Sequence, residues 1–171
     1  MNSIFLEQEE TRSKDELKQE LDSLEIQMFR MKENINKIAK YAEVISIDQT
    51  KENDWVVIYA YKEGSTCQLM LHNCARPYRG KWNSAIQAEF KGDGNLHIAD
   101  IKGEENQGYG SILIKHLKDV ARDDNFQYIT GDIVKRDFDH VERLKHFYSK
   151  HNFDVKIDHE EQYGEIIWND L

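Results

Sequence analysis

The sequence predicts a mixed α/β sheet domain preceded by an N-terminal amphipathic helix. Three observations predict it. Apolar residues recur at helical spacing between residues 13 and 42, the period falls to two from residue 53, and beyond residue 101 strand and helix patterns alternate. A chain of 171 residues suits one compact domain with a small appendage. The expected division is residues 1–45, a packing or oligomerisation helix, and residues 46–171, the sheet domain.

The helix rests on Leu17, Leu21, Leu24, Met28, Met31, Ile35 and Ile38, which alternate steps of four and three and so fall on one stripe. Ser13 and Glu16 stand at capping-box spacing, where each side chain satisfies a backbone amide of the first turn. No glycine or proline interrupts the segment. Leu21, Met28, Ile35 and Ala42 share one seam position, and Leu17, Leu24, Met31 and Ile38 the other. The span is barely over three heptads, so an isolated pair of such helices would be marginal. Two readings stay open. The stripe packs on its own domain, or it pairs with a copy of itself or a partner protein. Phe29 widens the apolar face beyond a strict seam and favours some packing on the domain.

Trp55–Tyr61 reads as the first strand, and Lys62-Glu63-Gly64-Ser65 as a turn. Cys67, Leu69 and Leu71 alternate with Gln68, Met70 and His72 in the returning strand. Asn73–Trp82 is irregular and carries Arg76, Arg79 and Lys81. With Tyr78 and Trp82 these would suit an acidic or aromatic ligand, or make a solvated loop anchored by Trp82. A third strand covers Ile86–Phe90, and Lys91-Gly92-Asp93-Gly94 is a tight turn. The next strand starts in phase at Leu96 and Ile98 but slips to Ile101, which predicts a bulge at Ala99-Asp100. A helix over 111–122, a strand over 128–133, a helix from Val141 to His151, a strand at Phe153–Ile157 and a closing strand at Ile166–Trp168 complete the chain. The tally is four strands, helix, strand, helix and two strands.

Composition removes several functions. Thirty-two acidic against 23 basic residues give a formal charge of −9, a surface that repels nucleic-acid backbones. No run approaches the roughly 18 apolar residues of a membrane helix. Met1–Phe5 lacks a basic segment followed by an apolar signal core, so the expected location is cytoplasmic. Cys67 and Cys74 are too few for a disulfide framework. His72 and Cys74 offer two ligands where a structural zinc site needs four, so no metal is expected.

One segment suggests a ligand. Lys102-Gly103-Glu104-Glu105-Asn106-Gln107-Gly108-Tyr109-Gly110-Ser111 runs from the bulged strand into a helix. Two closely spaced glycines let the backbone turn tightly, and the helix start aims free amides and partial positive charge into the same space. Such a loop suits a pyrophosphate and equally serves as an ordinary turn. It lacks the Gly-Lys-Ser/Thr ending of a Walker loop and comes too late for a dinucleotide fold.

Glu105–Ser111 resembles the Arg/Gln-x-x-Gly-x-Gly/Ala acetyl-CoA loop of the GNAT N-acetyltransferase superfamily. Phe147-Tyr148-Ser149-Lys150-His151-Asn152-Phe153 resembles its Tyr-Glu-Lys-x-Gly-Phe signature at the expected distance downstream. The resemblance covers roughly residues 84 to 157. It implies a GNAT-like acyl-CoA N-acyltransferase fold and transfer of an acetyl group from acetyl-CoA to a primary amine of a small molecule or peptide. The backbone of Ile101, Lys102 and Gly103 would pair with the pantetheine arm. The amides of Gln107, Gly108, Tyr109, Gly110 and Ser111 would cradle the pyrophosphate. Tyr148 would protonate the departing thiolate, a role that suits a phenol with a free pKa near 10, or would simply pack beside Phe147.

An amine acceptor also needs a base. Glu104 is the named candidate, beside Asp100, Glu105 and His97. Lys102, Lys115, Lys118, Lys135 and Arg136 are cations available to the cofactor.

Three departures stand out. Glu105 replaces the usual Arg or Gln, and Asn152 replaces the glycine before Phe153. Family members also insert two helices between their first two strands, where this chain has a short turn. The N-terminal helix or the Asn73–Trp82 loop must supply that wall. The alternative reading is a noncatalytic module of this fold that assembles through its N-terminal helix, with a homodimer as the partner arrangement.

Overall fold

The computed structural model describes residues 13–171. Met1–Phe5, and with them the start of the expected 1–45 segment, lie outside the described residues. Helix α1 (Lys14–Ile38) begins with the expected capping box. The Ser13 hydroxyl accepts the Glu16 amide at 3.2 Å, and the Glu16 carboxylate accepts the Ser13 amide at 3.0 Å. The helix stops four residues short of the predicted end. Strand β1 (Glu43–Gln49) comes next, an element that the periodicity does not predict. It lies at the sheet edge, and a register shift between Val44 and Ser46 breaks the alternation of its apolar residues. An edge strand with an irregularity carries little period-two signal, so its residues pass for the end of the helix. The division drawn at residue 45 falls inside it.

The remaining elements are β2 (Trp55–Glu63), β3 (Thr66–Asn73), β4 (Ser84–Lys91), β5 (Asn95–Gly103), α2 (Tyr109–Asp123), β6 (Tyr128–Ile133), a 3-10 turn over Lys135–His140, α3 (Val141–Lys150), β7 (Asp154–Asp158) and β8 (Tyr163–Asn169). They match the predicted order once β1 is added, which makes eight strands among the described residues instead of seven. The sheet runs β1-β2-β3-β4-β5-β6-β8-β7. Every neighbouring pair is antiparallel except β5 and β6, so the sheet is mixed as predicted. β2 and β3 meet through a short turn at Gly64, with no helix between them.

Each face of the sheet has its own core. On one face α2 and α3 bury Ile58, Leu69, Leu71, Ile86, Leu96 and Ile129 beneath Leu113, Ile114 and Leu117. On the other, the end of α1 and the 74–83 loop cover Val57, Tyr59 and Met70 with Ile38, Cys74 and Tyr78. β2 is therefore buried on both sides over Val56–Ala60, which is why it reads as an apolar run. Asn34, almost wholly buried, ties α1 to the loop: its amide donates to the Arg76 carbonyl at 3.1 Å and accepts the Tyr78 amide at 2.8 Å.

Two features of β5 position the site. Gln87 pairs with Asp100 while Ala88 pairs with Ile98, so Ala99 is the extra residue of the expected bulge. β5 and β6 pair from Asn95–Tyr128 to Ile98–Gly131 and then part, although β5 continues to Gly103 and β6 to Ile133. The β6-facing edge of Ile101–Gly103 is thereby left without a strand partner.

Candidate active site

The glycine loop leaves the open end of β5 in a conformation that few residues tolerate. Gly103 has φ +138°, and a Cβ there would stand 2.5 Å from the Asn83 carbonyl oxygen and the Ser84 Cα. Only glycine lets β5 run this close to the start of β4. Asn106 and Gly108 are both left-handed, at φ +60° and +75°, and Gly108 is the N-cap of α2. Among the described residues no backbone or side-chain acceptor takes the amides of Gln107, Gly108, Tyr109, Gly110 or Ser111. These donors are the orphans of a helix start, concentrated by the two left-handed residues before it.

A cavity of about 490 Å³ opens between this loop, the end of β5 and α3. Ile101, Lys102, Gly103, Gly108, Tyr109, Gly110 and Ser111 line it, with Glu104 and Tyr148. Of the predicted site residues only Gln107 is absent from its wall. Glu104 is exposed, and its carboxylate accepts the Asn83 side-chain amide at 3.0 Å.

Of the five cations named from the sequence, Lys102 alone lines this cavity. Lys115 pairs with Asp48 at 3.0 Å, and Lys118 donates to the His151 carbonyl and lies over the Phe153 and Trp168 rings. Arg136 lines a different cavity, and Lys135 lines neither. Arg143 and Lys150 reach the wall from α3, and sequence reasoning missed both. Their signal was available, since Arg143, Phe147 and Lys150 follow a four-three spacing on one helical face.

Tyr148 is held by the end of α3. Asn152 adopts φ +64°, a left-handed backbone that asparagine tolerates better than most residues. The Asn152 amide bonds the Ser149 carbonyl and the Phe153 amide bonds the Tyr148 carbonyl, while the Tyr148 and Phe153 rings meet at 5.4 Å. That pattern is a Schellman cap with its apolar contact. Tyr148 is more than nine-tenths buried, and its hydroxyl has no hydrogen-bond partner among the described residues. Burial, and then the charges of Asp137 and Asp100, push its phenol well above the ordinary range. The group stays protonated at neutral pH.

Tyr148 also lines a second cavity, of about 440 Å³, whose wall includes both parting strands, β5 at His97–Ile101 and β6 at Gly131–Ile133. His97, Asp100 and Asp132 stand in its wall. The Thr130 hydroxyl donates to Asn95 at 2.9 Å, so in the 2.9 Å His97–Thr130 contact it is the ring Nδ1–H that donates. The neutral ring therefore carries its lone pair on Nε2, which stands 3.4 Å from the Asp132 carboxylate. The other oxygen of Asp132 accepts the Tyr163 hydroxyl at 2.7 Å.

No group of three or more metal-ligating side chains occurs among the described residues. Cys67 and Cys74 are buried free thiols, both with pKa values raised by burial. No helix among the described residues is long and apolar enough to cross a membrane.

No family model matches the sequence. The chain is 49% identical over 160 residues to the uncharacterized protein YocC of Bacillus subtilis (strain 168), covering 94% of this chain and 96% of that one. In structure it is similar to the GNAT domain of S. lividans PAT, with a TM-score of 0.57, 9% identity, and coverage of 77% of this chain and 98% of that one. It also matches a Bacillus subtilis acetyltransferase in complex with CoA, with a TM-score of 0.48, 11% identity, and coverage of 63% and 78%.

Proposed function

The chain belongs to one family with YocC and is built on the GNAT fold; from that premise we propose that it binds acetyl-CoA between β5 and β6 and transfers the acetyl group to a primary amine. One observation carries the reading. Helix-start amides, a strand edge and a buried phenol, all without a partner among the described residues, line one cavity, and the phenol also lines the cavity between the parted strands. A pyrophosphate suits the amides of Gly108–Ser111, with Arg143, Lys150 and Lys102 supplying positive charge. An amide-bearing arm suits the open edge of Ile101–Gly103, as an added strand would. Bound there, acetyl-CoA supplies an activated acyl carbon.

The residues then divide the proton work. The acceptor amine enters by the cavity of His97 and Asp132. A free amine of the lysine type has a pKa near 10.4, so it must lose a proton before it can attack. His97 Nε2, backed by Asp132, takes that proton directly or through a water. Tyr148, protonated at neutral pH, delivers its own proton to the leaving sulfur. Glu104, the base named from the sequence, lines the cofactor-side cavity and holds Asn83.

Calorimetry with CoA and thiol release from acetyl-CoA with a panel of polyamine, aminoglycoside and peptide amines test the reading. Tyr148→Phe should bind CoA normally and lose on the order of a hundredfold or more in kcat. His97→Gln should bind CoA normally and lower kcat. If Glu104→Gln loses the activity and His97→Gln keeps it, the base is Glu104. A wild-type chain that neither binds CoA nor releases thiol overturns the proposal.

A further inference from the structure

The first four seam residues of α1 cover nothing among the described residues. Leu17, Leu21, Leu24 and Met28 are 47%, 67%, 50% and 64% exposed, whereas Ile38 on the same stripe is fully buried. Every residue from Ser13 to Phe29 is exposed, and packing on the domain begins at Arg30. The free segment is nonetheless a regular helix, capped at its start and anchored at its end. Lys14 occupies the seam position before Leu17, so the apolar seam ends there. Ile26 and Phe29 lie outside the seam and are both exposed, so Phe29 neither widens that face nor packs on the domain as its place in the sequence suggested.

We propose that this segment pairs antiparallel with the same segment of a second copy of the chain. The flanking charges select the direction. In heptad terms Lys18 and Glu25 occupy one flank of the seam, and Glu20 and Gln27 the other. A parallel pair would set Glu20 beside Glu25 of the other copy, twice by symmetry, and would be repelled. An antiparallel pair that stacks Leu17 on Met28 and Leu21 on Leu24 sets Lys18 beside Glu25 twice and leaves Glu20 facing neutral Gln27. The same register ends each free segment where the other domain begins. Lys14 then lies level with Met31, the first seam residue partly covered by its own domain. The overlap is 18 residues, roughly 27 Å of helix. Too short to hold as isolated peptides, the two segments start from helices already ordered by their domains. This inference does not depend on acetyl transfer.

Sedimentation and light scattering of the full chain across a concentration series test it. The expected limit is twice the mass of the 20.2 kDa chain. Leu24→Glu should return it to the monomer and, at dilutions where the wild type is also monomeric, leave the unfolding midpoint unchanged, since Leu24 is exposed. Lys18→Glu should weaken the dimer roughly tenfold, and adding Glu25→Lys should restore it. Direction is read by cross-linking. Leu21→Cys and Leu24→Cys chains should form a disulfide with each other when mixed, and neither should do so with itself. A wild-type chain that stays monomeric overturns the proposal, as do self-linked Leu21→Cys chains, which mark a parallel pair.

Discussion

The two halves of α1 carry the same apolar period, yet the tertiary structure treats them as different objects. From Met31 to Ile38 the stripe seals one face of the sheet, and Asn34 fastens it to the 74–83 loop. From Leu17 to Met28 the same stripe is exposed among the described residues. No change in propensity separates the halves. The docked half has β2, β3 and Tyr78 beneath it, and the free half extends past them. Amphipathic periodicity thus reports that a face wants cover, not which surface supplies it.

Variants along the helix sharpen this contrast, and the largest effect belongs in the docked half. Ile38→Ala should cost about 2–5 kcal/mol in urea unfolding, through lost burial and a residual cavity. Leu21→Ala, measured where the chain is monomeric, should fall within about 0.5 kcal/mol of wild type. Equal losses would break the comparison. Next comes Asn34→Ala, which leaves the Tyr78 amide and the Arg76 carbonyl short of a partner and should cost about 1–3 kcal/mol. Ser13→Ala should weaken the free half alone, by about 1 kcal/mol of helix stability, seen as lost helical circular dichroism with little shift in the urea midpoint.

The smallest effect is a pH dependence confined to the docked side. His72 lies under Tyr78, its ring centroid 5.1 Å away, and its Nε2–H donates to the Arg76 carbonyl at 2.9 Å. Burial holds its pKa below 6.5. The unfolded chain therefore takes up the proton first as pH falls, and stability is lost from about 6.5 down to the folded pKa. His72→Gln should reduce that slope. The free half has no histidine and should keep its helical signal across the window.

Much of the candidate site was legible because its parts are local. The two glycines before α2 needed only neighbouring residues to be seen, and so did the turn at Asn152, whose left-handed backbone the chain does adopt. The phase slip at Ala99 marked the bulge for the same reason. β1 was not legible, since its edge position and register shift leave no alternation to read. Arg143 and Lys150 were overlooked because charge on a helix reads as solvated surface until the neighbouring loop is known. The pairing of His97 with Asp132 joins two strands through the sheet, and no spacing in the sequence predicts it.

The Ser13 cap, the turns, the bulge and the order of elements from β2 onward came from the sequence alone, because each depends on preferences spanning a few residues. Only the tertiary structure decided which half of α1 is covered, where β5 parts from β6, and that Tyr148 stands between two cavities. Those outcomes depend on which distant surfaces meet, and burial is a property of the meeting, not of either segment.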